Sequence, residues 1–147
     1  MTQTEFLSAL RTATGLSSLT FNGDSVCCLA VPGRLEIQIE WSAESGQLLF
    51  LAPVGDMDND SGGKLARTLL SANFLFRGTR GETLSLEEET GRVFLCLQSD
   101  ALSLSVAKAM ERFTAFLDTA ERWREHFPIL HGQSAEEITQ FLPHQRA

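Results

Sequence analysis

Apolar residues in this chain recur with two different periods, and the changes of period mark where helices give way to strands. Over residues 3 to 13, Phe6, Leu7 and Leu10 fall on one side of a short helix, with Gly15 just beyond it as a stop signal. From Val26 the period shortens. "VCCLAV" reads as a buried strand, Pro32-Gly33 as a turn, and "LEIQIEW" as strict alternation that sets Leu35, Ile37, Ile39 and Trp41 against Glu36, Gln38 and Glu40. After the turn "SAESG", "QLLFLAPV" is apolar on both faces and is expected to end at Pro53. These three strands make an antiparallel meander.

The helical period returns from about Gly62 to Arg77. Leu65, Leu69, Ala72 and Phe76 form one stripe there, and Ala66, Leu70 and Phe74 form a neighbouring one. So wide an apolar surface exceeds what one sheet face requires, which leaves two readings open: burial in a thick core, or a surface for self-association. A hairpin follows, with Leu84 and Leu86 alternating in its first strand, "ETGR" turning, and Val93, Leu95 and Leu97 alternating with Phe94 and Cys96 in its second. The longest helix is expected from about Ser103 to His126, with Val106, Met110, Phe113, Leu117 and Ala120 inward, widened by Phe116 and Trp123, and with Pro128 ending it. The order is helix, three-strand antiparallel meander, helix, β-hairpin, helix, which is an α+β fold with a mainly antiparallel sheet. The pattern assigns residues 1–128 to one domain and 129–147 to a tail with few apolar anchors, flexible or carrying a short helix at Ala135 to Phe141.

Composition narrows the functional classes. A chain of 147 residues with 43% apolar content supports one folded domain. Its net charge of -7 argues against nucleic acid and against anionic lipid, since both recruit clustered cations. Cys27, Cys28 and Cys96 are odd in number and form no C-x-x-C pair, so neither a disulfide framework nor zinc is indicated. A reducing cytoplasm is the expected home. Glu5 interrupts the N-terminal stretch, and no later run approaches the roughly 18 apolar residues of a membrane span, so neither an export signal nor membrane insertion is expected.

One segment invites a ligand reading. In "GDMDNDSGGKLARTLLSANFLF", Asp56, Asp58 and Asp60 sit where the first three oxygen ligands of a calcium loop belong. The turn glycine at the sixth position is replaced by Ser61 and the bidentate glutamate at the twelfth by Arg67, so the geometry and the strongest ligand are both missing. A phosphate loop fails as well, because Asp58 replaces its leading glycine and Leu65 its Ser/Thr. What remains is an acidic entrance to a helix, with Asp60 or Ser61 as N-cap.

Catalytic chemistry is sparse. His126, His131 and His144 lie at the end of the last helix or in the tail, and Cys27 and Cys28 lie in a strand that reads as buried. Glu87, Glu88 and Glu89 read as a solvated edge beside a turn. No catalytic residue, cofactor or metal is assigned. Apolar positions beyond the needs of one core favour a protein-binding role, and the sheet edges offer a route for β-augmentation.

The order of elements, with the first helix ending in "TGL", the "LEIQIEW" strand, "LLSANFLF", the hairpin "LSLEEETGRVFLCLQ" and the final "FTAFLDTAERW", resembles the class I type III secretion chaperones of the Tir chaperone (CesT-like) family over about Thr4 to Phe127. The resemblance implies a homodimer in the bacterial cytoplasm that binds the N-terminal region of a secreted effector in extended form and keeps it soluble and secretion-competent. It implies a dimer interface on the second helix, at Leu65, Leu69, Leu70, Ala72 and Phe76. Effector contacts are implied around the first helix and the sheet, at Phe6, Leu10, Ile37, Ile39, Phe50 and Phe94. Two alternatives stand beside it: a regulatory protein of the same fold that binds a transcriptional regulator or anti-activator, and a small ligand-binding or enzymatic α+β domain.

Overall fold

The computed structural model describes residues 1–31, 35–57 and 63–130. The acidic segment from Asp58 to Gly62, His131, His144 and the expected tail helix lie outside the described residues. The elements are α1 (Gln3–Thr14), β1 (Val26–Ala30), β2 (Glu36–Ser42), β3 (Gln47–Asp56), α2 (Lys64–Asn73), a 3-10 turn (Phe74–Phe76), β4 (Thr83–Glu87), β5 (Arg92–Asp100) and α3 (Val106–Leu130). The strands form one sheet in the order β1-β2-β3-β5-β4. Each pair with a described register is antiparallel, from Val26↔Glu40 in the first, Gln38↔Leu51 in the second and Thr83↔Cys96 in the third. The expected α+β fold is therefore the observed one.

Two compact units divide the chain, Met1–Ala52 with Leu97–Asp118, and Pro53–Cys96 with Thr119–Ala147. In the first, α1 begins in a capping box: Thr2 accepts from the Glu5 N–H, and the Glu5 carboxylate accepts from the Thr2 N–H at 2.7 Å. The signal was already in the sequence as Thr-x-x-Glu. The helix ends at Gly15, whose φ of 71° is left-handed and whose N–H returns to the Arg11 carbonyl. Phe6 and Leu10 face inward and are fully buried. The Phe6 ring meets Trp41 and Phe50 with centroids 6.4 and 6.1 Å apart, and Phe50 meets Phe113 and Phe116 at 5.3 and 5.6 Å. This aromatic column, in tilted and edge-on contacts that suit ring quadrupoles, is the centre of the unit's core. The N-terminal ammonium donates to the carbonyls of Ala101 and Leu104, which ties down the start of the chain.

In the second unit, Trp123 is buried and its indole N–H donates to the Gly78 carbonyl at 3.0 Å. The Thr90-Gly91 turn closes the β4–β5 hairpin, with Gly91 at φ 71° donating to the Glu87 carbonyl. Leu84, Val93 and Leu95 point into the core from this hairpin.

Four boundaries differ from expectation. The second helix starts on Gly63, left-handed at φ 68° and without a side-chain cap, where Asp60 or Ser61 was expected. It stops at Asn73, because Leu75 and Phe76 take φ of 54° and 55° and the Gly78 N–H closes back on the Ala72 carbonyl. Pro53 does not end the third strand: pairing with β2 already finishes at Gln38↔Leu51, so the missing N–H removes no bond from that ladder. Nor does Pro128 end α3, which runs to Leu130 and keeps Phe127 and Leu130 buried in its last turn. Apolar burial there outweighs one absent helical hydrogen bond.

Candidate functional site: apolar surfaces and a sheet edge

The chemistry on offer is that of surfaces. Among the described residues no group of three or more His, Cys, Asp or Glu could hold a metal ion, and no helix is long and apolar enough to cross a membrane. Asp56 is exposed, with a carboxylate oxygen 4.0 Å from the Arg92 guanidinium. Burial raises the Cys27 thiol above its usual range, with the neighbouring Cys28 adding to the effect, which makes Cys27 a packing residue and a poor nucleophile. The His126 ring nitrogen Nδ1 meets the Arg122 carbonyl one helical turn back, within α3.

Among the described residues, the most exposed apolar cluster is a knuckle at the end of α2. Leu70, Phe74, Leu75 and Phe76 are 69%, 63%, 66% and 53% exposed. The backbone explains it. A continued helix would have wrapped these side chains around its axis, whereas left-handed φ at Leu75 and Phe76 breaks the helical path where the sequence is most apolar. Bulky residues pay for that conformation with strain, which the contacts around the segment must offset. The Arg77 guanidinium lies 5.6 Å from the Phe74 ring centroid, a cation–π contact that braces one aromatic of the cluster.

A second surface belongs to the first unit. A groove of about 690 Å³ is lined by Thr4, Glu5, Ser8, Ala9, Thr12 and Ala13 of α1 and by Val106 and Met110 of α3. Small residues on α1 make the hollow, and the flexible Met110 side chain lines its α3 side. Its only described carboxylate, Glu5, has its pKa lowered by the Thr2 backbone N–H, then by the Thr2 hydroxyl, so it stays charged at the rim.

The residues named from sequence fall into two groups. Phe6, Leu10, Ile37, Ile39 and Phe50 are buried to within about a hundredth of their surface, so the structure gives them to the core of their own chain and corrects the expectation that they face an effector. The physical reason is that strand alternation identifies residues sharing a face, while α1 and α3 cover that face with Phe6, Phe113 and Phe116. Phe94 is half-buried on the opposite face of β5. Of the second-helix residues, Leu65, Leu69 and Ala72 are buried within the unit, whereas Leu70 and Phe76 are exposed. Sequence reasoning missed Leu75 as a surface residue, and it took Val106 and Met110 for core positions although both line the groove.

The sequence model of the Tir chaperone protein (CesT) family matches residues 5–124. None of the curated proteins matches the chain significantly. Among solved structures, a chain of the ExsC–ExsE complex is 26% identical with a TM-score of 0.69, over 82% of this chain and 89% of that one. A chain of the heterodimeric ExoU–SpcU complex from the type III secretion system of Pseudomonas aeruginosa is 18% identical with a TM-score of 0.63, over 88% and 97%. A chain of the HopA1–SchA chaperone–effector complex is 16% identical with a TM-score of 0.65, over 83% and 92%. The last two show likeness of fold.

Proposed function

This chain belongs to the Tir chaperone protein (CesT) family, and from that premise we propose that it is a type III secretion chaperone that binds the N-terminal region of an effector in extended form. The observation that carries the reading is the match over residues 5–124 in a chain that also exposes the apolar side chains of Leu70, Phe74, Leu75 and Phe76. Extended chain bound along such surfaces has its own apolar side chains shielded without folding, and no bond is made or broken, so the role is non-enzymatic and needs no nucleotide or cofactor.

The two surfaces divide the work. The knuckle of Leu70, Phe74, Leu75 and Phe76 joins two copies into a homodimer; the buried Leu65, Leu69 and Ala72 support it from beneath. The groove between α1 and the start of α3 receives apolar side chains of the effector, with Phe6 and Leu10 fixing α1 from the other side. Phe94 contributes from the exposed face of its strand. The bacterial cytoplasm, where effectors await export, is the place for this activity.

Affinity capture from the native host, with mass spectrometry of the bound chain and limited proteolysis of the complex, tests the reading. It predicts a secreted protein whose N-terminal region alone is protected. Recovery of a transcriptional regulator or anti-activator would instead assign the regulatory role on the same fold, and protection of a globular domain would overturn extended binding.

A further inference from the structure

Hydrogen bonding at the edge of β4 is unusual. β4 is one of the two outer strands of the sheet and is only five residues long. The Leu84 N–H donates to Asn73 Oδ1 at 2.9 Å, and Asn73 Nδ2 donates to the Leu84 carbonyl at 3.0 Å. Both bonds leave Leu84 away from β5, so Leu84↔Leu95 is a non-hydrogen-bonded pair of the ladder. By alternation, Thr83, Ser85 and Glu87 bond inward to β5, while Leu84 and Leu86 present their backbone outward.

A primary amide carries one acceptor and one donor on a planar group, the same complement that a backbone residue of an added strand would present. Asn73 therefore occupies the site of a neighbouring strand's residue. Beyond it only Leu86 has an outward N–H and C=O, and the exposed carboxylates of Glu87, Glu88 and Glu89 follow at the strand's end. One open rung between an amide and an acidic run is too little for strand addition, and charged residues at an edge disfavour it further.

We propose that Asn73 is an edge plug, a positioning residue whose amide closes β4 to strand addition, so that neither a second copy nor an extended partner chain can pair there. The proposal concerns backbone pairing at β4 alone and stands whether or not the chain binds an effector. It also accounts for the two bonds falling on the last residue of α2: the same contact that closes the edge fixes the point from which the knuckle departs.

Amide hydrogen exchange on the full-length protein is the first test. In the unaltered chain the Leu84 N–H should exchange at least about tenfold more slowly than the Leu86 N–H, though both point outward; equal rates overturn the proposal without any variant being made. In Asn73→Ala, Leu84 should lose this protection while Ser85 keeps its own. Sedimentation velocity should then show species larger than those of the unaltered chain, growing with concentration. Adding Leu86→Lys should abolish them without restoring the lost thermal stability, which separates edge closure from a merely structural role. Loss of Leu84 protection with no larger species would show that the edge stays closed without Asn73, and would overturn the proposal equally.

Discussion

Gly55 shows how a single hydrogen can decide packing. It lies in β3, and a methyl group in its place would overlap the Phe127 ring of α3 within the same unit. Neither partner yields readily, since one is strand backbone and the other is 3% exposed. Gly55→Ala should therefore lower stability by about 1–3 kcal/mol, read as a drop in the urea midpoint at unchanged slope. Glu5 supplies a second residue-scale prediction. Hydrogen bonds from Thr2 hold its folded-state pKa below the ordinary carboxylate range. The capping box therefore contributes stability above the unfolded glutamate pKa and loses it as pH falls through the lowered folded value. Glu5→Gln should be less stable than the unaltered chain at neutral pH, and the gap between their urea midpoints should close in acid. An unchanging gap would show that charge on Glu5 does not matter. The Thr-x-x-Glu spacing stands in the sequence, although the reading of the first helix there rests on Phe6, Leu7, Leu10 and Gly15. The clash at Gly55 was not legible, because it arises between residues 72 positions apart in the chain.

At the scale of elements, periodicity revealed which residues share a face, but not whether that face is covered. The alternation of Ile37, Ile39 and Trp41 was correct, and all three are buried. Ile37 and Ile39, which the resemblance implied as effector contacts, lie covered beneath α1 and α3, and no local pattern says where a distant helix will pack. The second helix makes the same point in reverse. Its two stripes were legible, but the left-handed turn at Leu75 and Phe76 was not, since the sequence offers apolar residues where glycine or asparagine would have announced it. That turn separates two substitutions that look alike on paper. Leu69→Glu places a carboxylate at a 7% exposed position and should cost on the order of 4 kcal/mol, seen as lost cooperative unfolding. Leu70→Glu, at a 69% exposed position, should leave circular dichroism unchanged and halve the mass in light scattering. If Leu70→Glu leaves the mass unchanged, the knuckle does not form the proposed homodimer interface.

Taken as a whole, the molecule combines a net charge of -7 with apolar surface at the knuckle and in the α1–α3 groove. A net charge of this size disfavours non-specific association, and the apolar surface rewards a partner that covers it. Binding that rests on such burial has a thermal signature: removing apolar surface from water gives a negative heat-capacity change, whatever the enthalpy at one temperature. Calorimetric titration of a captured effector's N-terminal segment at several temperatures should therefore give an enthalpy that becomes steadily more favourable on warming. Salt should affect it little if apolar contact dominates, since screening acts mainly on exposed charge pairs. Adding nucleotide or a chelator should leave the affinity unchanged, because the proposed mechanism is storage by contact. Within the groove, Ala9→Glu is the informative substitution: Ala9 is half-buried among the lining residues of α1, so a carboxylate there reaches the groove, and because Ala9 stands one turn from Phe6 an unchanged urea midpoint is the control that the aromatic column is intact. It should weaken the segment's binding by about tenfold, the equivalent of one well-placed apolar contact, with the dimer mass retained. Affinity unaffected by Ala9→Glu would move the effector's path off this groove, and an enthalpy independent of temperature would remove apolar burial as the driving force.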